Sequence, residues 1–407
     1  MKIRYLIIVF WTLLFYSCEK SNPEIAGAGE LSSISYQEKI YAQPIVVDNQ
    51  IVSVQNKDNV NFLTAFNNTG SIEWNIDIDD YIIQGTNYDN IPYLFLSKNK
   101  NNDVFLNFLN DNNNGSEIIK TVRFNKNGEY ISQFTDSIHQ NLPNFVSAAR
   151  RFTGLGVLPL DNGNVSVVSS LTVLTNQHTY IQMSEYNSEG SHLNDTIYTL
   201  DELINPYQVF LASNNRLIFQ TGDGFGITRF VIFNPGTGEI FTSPEFPVFD
   251  LLSFYENSKG NFIFTASAFV DNLSYYGIII SISSNAEYLW HQVYTEQTAW
   301  LLTSVSELSD GYIFTGFDIT GQLLNEFDWR NSLDNEKVFG IVMKTDFNGK
   351  INQNTGWSYR IMSPASTAGA VVLQNETGGY TVFGGKYDRD IHSTMILKLN
   401  EMGEIAN

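Results

Sequence analysis

Apolar and polar positions along this chain fall into short β-type runs separated by turn residues, and one phrase recurs from end to end. The phrase is a β-run, a Gly-bearing turn, a second β-run, then Asn/Asp-x-x-Gly. One copy reads Asp310-Gly311-Tyr312-Ile313-Phe314-Thr315-Gly316, then Val338 to Thr345, then Asp346-Phe347-Asn348-Gly349 and Trp357. Another reads Gly378-Gly379-Tyr380-Thr381-Val382-Phe383-Gly384, then Thr394 to Leu399, then Asn400-Glu401-Met402-Gly403. No amphipathic helical stretch of comparable length interrupts the series. Self-similarity at this spacing marks a repeat architecture, in which each unit buries its apolar faces only against its neighbours.

Seven closing turns can be aligned: Asn67–Gly70, Asn125–Gly128, Asn187–Gly190, Asn234–Gly238, Ser283–Ala286, Asp346–Gly349 and Asn400–Gly403. Their mean spacing of about 55 residues suits a four-stranded unit. The leading Asn or Asp is expected to cap the turn through its side chain, and the last residue to take positive φ. In the fifth copy Ala286 replaces the glycine, so Asn285 is the expected left-handed residue there. The β-runs before the turns are nearly continuous in apolar residues, as for strands covered on both faces. Trp74, Trp290 and Trp357 follow their turns and are expected to pack between units.

The predicted fold is therefore all-β: a seven-bladed β-propeller of four-stranded antiparallel blades, spanning 31–407. The last copy stops at Gly403-Glu404-Ile405-Ala406-Asn407, where a fourth strand is due, whereas Leu31 to Ile40 is a β-prone segment preceding the first copy. Letting that N-terminal strand join the last blade closes the ring and removes an exposed edge. Six or eight blades are the neighbouring counts, because the second copy is interrupted by Asn and Lys between Leu94 and Phe108.

The first residues change the picture of where the chain resides. Met1-Lys2-Ile3-Arg4 is a short basic segment, Tyr5 to Tyr16 an apolar one, and Ser17 precedes the chain's single cysteine, Cys18. This reads as an export signal over 1–17, too short for a comfortable membrane span. Cys18 and the polar stretch after it (18–30) read as an anchor and tether. With one cysteine the exported domain has no internal disulfide. The formal charge of −20 repels phosphate backbones and argues against a nucleic-acid partner.

Candidate chemistry is sparse. In propellers the first-to-second and third-to-fourth strand turns share one end of the ring, and the other connections emerge at the opposite end. The first set is short here, whereas Ser132 to Thr153, Leu171 to His178, Ala268 to Tyr276, Asp318 to Lys337 and Ser358 to Ala370 read as long, varied connections. Long loops on a rigid frame are where binding resides. Within the 318–337 insertion, Phe327, Trp329 and Arg330 offer an aromatic and cationic platform. Arg150-Arg151, in the connection from the second to the third blade, offers two guanidinium groups for a carboxylate or sulfate. A base recurs five residues before the turn glycine (Arg123, Lys344, Lys398) and reads as a blade feature. The Asn-rich stretch Asp111 to Glu117 fails the full calcium-loop spacing. The five histidines are dispersed, with no zinc pattern, and no nucleophile elbow or phosphate loop occurs, so no metal, cofactor or catalytic residue is assigned.

The leader with Cys18 and the Asp-Gly-Gly-Tyr-type repeats together resemble the β-propeller lipoproteins of bacterial cell envelopes. The likeness to outer-membrane assembly scaffolds and quinoprotein-like propellers is looser. The resemblance implies acylation of Cys18 and attachment to the outer membrane through the N-terminal lipid. It departs from the usual lipobox at Phe15 and Tyr16. The functional expectation is a non-enzymatic binding scaffold for a protein or glycan. A glycan-processing hydrolase or lyase with an acidic axial site is the alternative, and a quinoprotein-type dehydrogenase a more distant one.

Overall fold

The computed structural model describes residues 34–36, 39–40, 43–58, 60–82, 93–112, 116–137, 150–160, 162–173, 178–200, 206–222, 227–248, 251–271, 274–294, 299–319, 338–351, 356–361, 363, 366–375, 378–388 and 391–406. Its strands form seven antiparallel sheets. After β1 (Ile34–Tyr36), the first blade holds β2 (Lys39–Ile40) and β3 (Ile45–Val47), which share the inner position, then β4 (Gln50–Lys57), β5 (Val60–Asn67) and β6 (Ile72–Asp77). The second holds β7 (Tyr93–Lys98), β8 (Val104–Asn112), β9 (Ser116–Phe124) and β10 (Tyr130–Ser137). The third holds β11 (Arg150–Pro159), β12 (Val165–Val173), β13 (His178–Tyr186) and β14 (His192–Leu200). The fourth runs through β15 (Pro206–Leu211), β16 (Leu217–Gly222), β17 (Thr228–Phe233) and β18 (Ile240–Thr242). The fifth runs through β19 (Leu251–Glu256), β20 (Phe262–Asp271), β21 (Ser274–Ile282) and β22 (Tyr288–Tyr294). The sixth has β23 (Ala299–Leu308), β24 (Gly311–Ile319), β25 (Val338–Thr345) and β26 (Trp357–Ile361), and the seventh β27 (Ser366–Gln374), β28 (Tyr380–Asp388) and β29 (Ile391–Leu399). The interrupted second copy is thus a regular blade, its Asn and Lys residues making the turn between β7 and β8.

The first strands touch between most neighbouring blades, with β27 meeting β3 across the closure. The seventh blade is completed by β1, antiparallel to β29 with Ile34 opposite Ile396 and Tyr36 opposite Thr394. The expected closure is present, with one difference. Lys39 and Ile40 pair instead with Asn56 and Gln55 of the first blade, so the Leu31–Ile40 segment is divided between two sheets. The C-terminus shares the same edge: Ile405 bridges Leu399, and Ala406 N–H donates to Lys398 O. Further on, Gln43 donates to the carbonyls of Thr303 and Ala370 at 3.2 and 2.7 Å. Those two residues are the bulged positions of β23 and β27, and a bulge turns a carbonyl out of its ladder. One short segment therefore ties together blades one, six and seven.

The closing turns repeat in detail. The N–H of the last turn residue donates to the first residue's carbonyl in each, and the side-chain oxygen of Asn67, Asn125, Asn187, Asn234, Ser283, Asp346 or Asn400 accepts further N–H groups. The last residue is left-handed in all seven, with φ between 62° and 83°. In the fifth copy this is Ala286 at 62°, not Asn285 as expected. The turn's hydrogen bond fixes which position must reverse, and the Ala286 methyl is buried in the core shared by blades four and five. Burial of that methyl offsets the ~1–2 kcal/mol cost of an L-residue in this conformation.

The core lies in the seams between blades. Trp74 donates its indole N–H to Lys126 O of the second blade, and Trp357 does the same to Glu401 O of the seventh. Phe134 stacks on Tyr186 of the third blade at 4.2 Å, and Tyr198 meets Phe233 of the fourth edge-on at 4.9 Å. Phe241 packs on the cluster shared with the fifth blade, and Trp290 packs against Tyr312 of the sixth. The expected inter-blade role of the three tryptophans holds, and it extends to smaller aromatics at the other seams. A Cβ on Gly128 would stand 2.8 Å from the Trp74 ring, and one on Gly349 equally close to Trp290. Those glycines are fixed by the neighbouring indole as well as by φ.

Gly128→Ala is therefore expected to destabilise the protein by more than about 2 kcal/mol, combining steric conflict and left-handed strain. Gly238→Ala has the same sign of φ but open space around it, and should cost only ~1–2 kcal/mol. Urea melts of the two variants check the difference, and equal losses would contradict the seam contact. Removing residues 1–37 takes away β1 and should lower the melting temperature and broaden the transition in calorimetry.

Candidate functional site

The two ends of the ring differ. At one end most strand connections among the described residues are short hydrogen-bonded turns, the Thr345–Trp357 connection being longer, and adjacent blades are clasped there through those turns. Ser213 donates its N–H and hydroxyl to Glu256 of the fifth blade, and Ser258 does the same to Glu307 of the sixth. Arg123 is buried against Asp103 with Nη2–Oδ2 at 2.5 Å and reaches the carbonyls of Gly163 and Ser188 in the third blade. Lys344 pairs with Asp310 at 2.9 Å, and the bonds to Asp310 and Tyr380 raise its pKa against the opposing effect of burial, the largest single influence. The recurring base is a blade feature at Arg123 and Lys344, as expected.

The opposite end carries the longer connections: from Asp77 to Tyr93, from Ser137 to Arg150, and from Ile319 to Val338. Other stretches expected as loops are largely strand. β20 extends to Asp271 and β21 starts at Ser274, while Trp357–Ile361 and Ser366–Gln374 are β26 and β27. Ladders simply continue where both faces remain covered, a condition that local polarity does not reveal.

The longest connection has a rigid root. Asp318 pairs across the ladder with Trp300 on one side and Phe339 on the other, and only 3% of its surface is exposed. Arg360 reaches it with Nη2–Oδ2 at 2.6 Å, and its guanidinium sits 4.4 Å above the Phe339 ring. Next to this cluster Trp300 stacks on Tyr294, whose hydroxyl donates to Gly349 O and whose pKa is raised well above the ordinary value by burial, then by Asp346. A buried ion pair gives little net stability, but it tolerates neither partner alone. Sequence reading placed Asp318 at the start of the insertion and passed over Arg360. The signal was a charge inside each of two apolar runs, Phe317-Asp318-Ile319 and Tyr359-Arg360-Ile361.

Arg150 and Arg151 do not lie in a connection: they open β11, opposite Val173 and Thr172. Being at the start of an inner strand, they stand at the same end of the ring as the 318–337 insertion, three blades away. Phe327, Trp329 and Arg330 lie outside the described residues, as do Cys18 and the 18–30 tether. The ends of the Asn-rich stretch are paired strand, Asp111 opposite Glu117 and Asn112 opposite Ser116, and residues 113–115 lie outside the described residues. Among the described residues, no three His, Cys, Asp or Glu side chains converge as a metal site would require.

Neither a protein-family model nor a curated protein matches this chain. Solved structures do resemble it. An ulvan lyase, a polysaccharide lyase, aligns at 8% identity over 91% of this chain and 96% of its own, with a TM-score of 0.48. An apocarotenoid oxygenase of Synechocystis aligns at 11% identity over 92% and 91%, with a TM-score of 0.44. Semaphorin 2a of Drosophila aligns at 9% identity over 95% of this chain and 77% of its own, with a TM-score of 0.46. Identities this low carry no activity across, and the seven-bladed ring rests on the strand pairing itself.

Arg360→Met should destabilise the protein by about 3 kcal/mol, because it strands a buried carboxylate. Adding Asp318→Asn should recover a measurable part of that loss in a double-mutant cycle. Additive losses in chemical denaturation would contradict the pairing.

Proposed function

We propose that this chain is a non-enzymatic binding scaffold, anchored through acylated Cys18 at the outer membrane of a bacterial cell envelope. It engages a protein or glycan partner through the end of the ring that carries the long connections. The observation that carries this reading is the contrast between the ends. One is closed by seven near-identical turns and inter-blade clasps, and the other bears the Ile319–Val338 connection on a buried ion-paired root, with Arg150 and Arg151 at the same end. A rigid frame lets a variable loop bind without a large ordering cost. Within that loop Phe327 and Trp329 are the anchors and Arg330 the charged neighbour, and Arg150 and Arg151 add cationic partners for acidic groups.

A glycan-processing role would need two carboxylates some 5–10 Å apart around a sugar. Asp318, the carboxylate buried at the root of this connection, is committed to Arg360 and poorly placed for proton transfer.

In-cell cross-linking followed by partner identification tests the proposal. The Phe327→Ala/Trp329→Ala double variant should lose most partner recovery, tenfold or more, at an unchanged melting temperature. Cys18→Ala should move the protein from the membrane to the soluble fraction. Undiminished partner recovery in the double variant, or membrane retention of Cys18→Ala, would refute the corresponding half of the reading.

A further inference from the structure

The inner ladder of the ring breaks at the same height in blade after blade. In blades three to seven the first strand carries one extra residue against the second: Leu155, Tyr207, Leu252, Thr303 and Ala370. Each shift falls between the fourth and fifth residues of the second strand, counted from Val165, Leu217, Phe262, Tyr312 and Tyr380. In the first blade the inner strand is interrupted at that height, between Ile40 opposite Gln55 and Ile45 opposite Val52, and Gln43 stands in the interval. The β7–β8 ladder of the second blade is regular. A bulged residue is left without a ladder partner, so five backbone carbonyls are released at one height.

Gln43 shows where two of these carbonyls point. Its Nε2 donates to Thr303 O at 3.2 Å and to Ala370 O at 2.7 Å, so the two oxygens lie within 5.9 Å of each other, the sum of those distances. A side chain of blade one can meet blades six and seven together only on the inner side of the first strands, where the axis runs. Gln43 is itself exposed, so water reaches this height. The residues before these two bulges are clasped by the preceding blade: Thr265 Oγ1 donates to Leu302 O at 2.6 Å, and Thr303 Oγ1 to Gly369 O at 2.8 Å. The height carries no formal charge, because neither the bulged residues and their neighbours nor the residues opposite them include Asp, Glu, Lys or Arg. Arg150 and Arg151 stand four to five residues before Leu155, about 13–17 Å along the strand and past the screening length at 0.1 M salt.

We propose that this ring of released carbonyls is a site for a monovalent cation, a potassium ion or a primary ammonium group, on the side of blades three to five. Carbonyl dipoles that turn their negative ends toward one axis attract positive charge without a carboxylate. A divalent ion would call for anionic ligands, which this height lacks. The formal charge of −20 raises the concentration of cations around the chain. The cation bridges Leu155 O, Tyr207 O and Leu252 O across neighbouring blades, as the Gln43 amide bridges Thr303 O and Ala370 O, and water completes its shell. It ties blades three to five together on the axis, while the N-terminal segment ties blades one, six and seven. The site lies inside the ring and depends neither on the partner-binding end proposed above nor on Cys18.

The test is calorimetric titration of the purified full chain, dialysed into tetramethylammonium chloride, with KCl and with methylammonium chloride at constant ionic strength. At least one of the two should bind saturably and raise the melting temperature. Further tetramethylammonium, which has no N–H and a wide methyl shell, should do neither. Tighter binding of potassium identifies an inorganic ion, and tighter binding of methylammonium an amine ligand. Gln43→Lys places a tethered ammonium at the axis and should weaken binding about tenfold by charge repulsion. Leu289→Lys adds the same charge at an exposed position on the outer strand of blade five and should leave binding unchanged. Gln43→Ala frees two more carbonyls and should bind at least as tightly as the unaltered chain, which keeps the test valid if Gln43→Lys does not fold. The proposal is overturned by the absence of saturable binding of either cation, by equal losses in Gln43→Lys and Leu289→Lys, or by loss of binding in Gln43→Ala.

Discussion

The whole molecule depends on the contact between an aromatic of one blade's outer strand and the closing turn of the next. A four-stranded sheet of this composition has two apolar faces and cannot bury either alone. Trp74 over Gly128 and Trp290 over Gly349 show how the debt is met: the indole lies flat where a side chain would otherwise stand. The turn glycines Gly128, Gly349 and Gly403 are thus constrained twice, by their left-handed backbone and by the neighbouring indole. The left-handed position is common to all seven copies, and the neighbour's indole adds to it in three of them.

A ring built from such contacts must join its last sheet to its first. Here the join is made by a segment that visits both: Ile34–Tyr36 lies on β29, Lys39–Ile40 on β4, and Gln43 reaches the bulged carbonyls of blades six and seven. The C-terminal bridge at Ile405 finishes the same edge. Joining the ends this way closes the ring with backbone hydrogen bonds. With the turn-bearing end clasped by Ser–Glu and Arg–carbonyl contacts, most of the variation in length falls at the opposite end, where connections need not match from blade to blade.

Most of this architecture was legible from the residues, because turn chemistry and β-runs are local properties. The closing turns, the tryptophan packing, the blade number and the closure all follow from them. What escaped was decided by neighbours distant in sequence. Ala286 takes the left-handed position because its methyl is buried between blades, and much of Ala268–Tyr276 is strand because the β20–β21 ladder continues through it. Arg150 and Arg151 begin a strand because β11 pairs with β12 along its full length, which spacing within the chain does not announce. Asp318 was visible as a charge, but its partner Arg360 lies on a strand not adjacent in the sheet, and no spacing rule joins them.

The most direct test of the closed ring is a cross-link between its ends. Ser35 and Met395 are register partners in the closing sheet, at a spacing compatible with a disulfide. In a Cys18→Ser background, the Ser35→Cys/Met395→Cys variant should oxidise to an intramolecular disulfide and unfold at a higher temperature than its reduced form. Failure to form that bond within one chain, or formation only between chains, would contradict closure by the N-terminal strand.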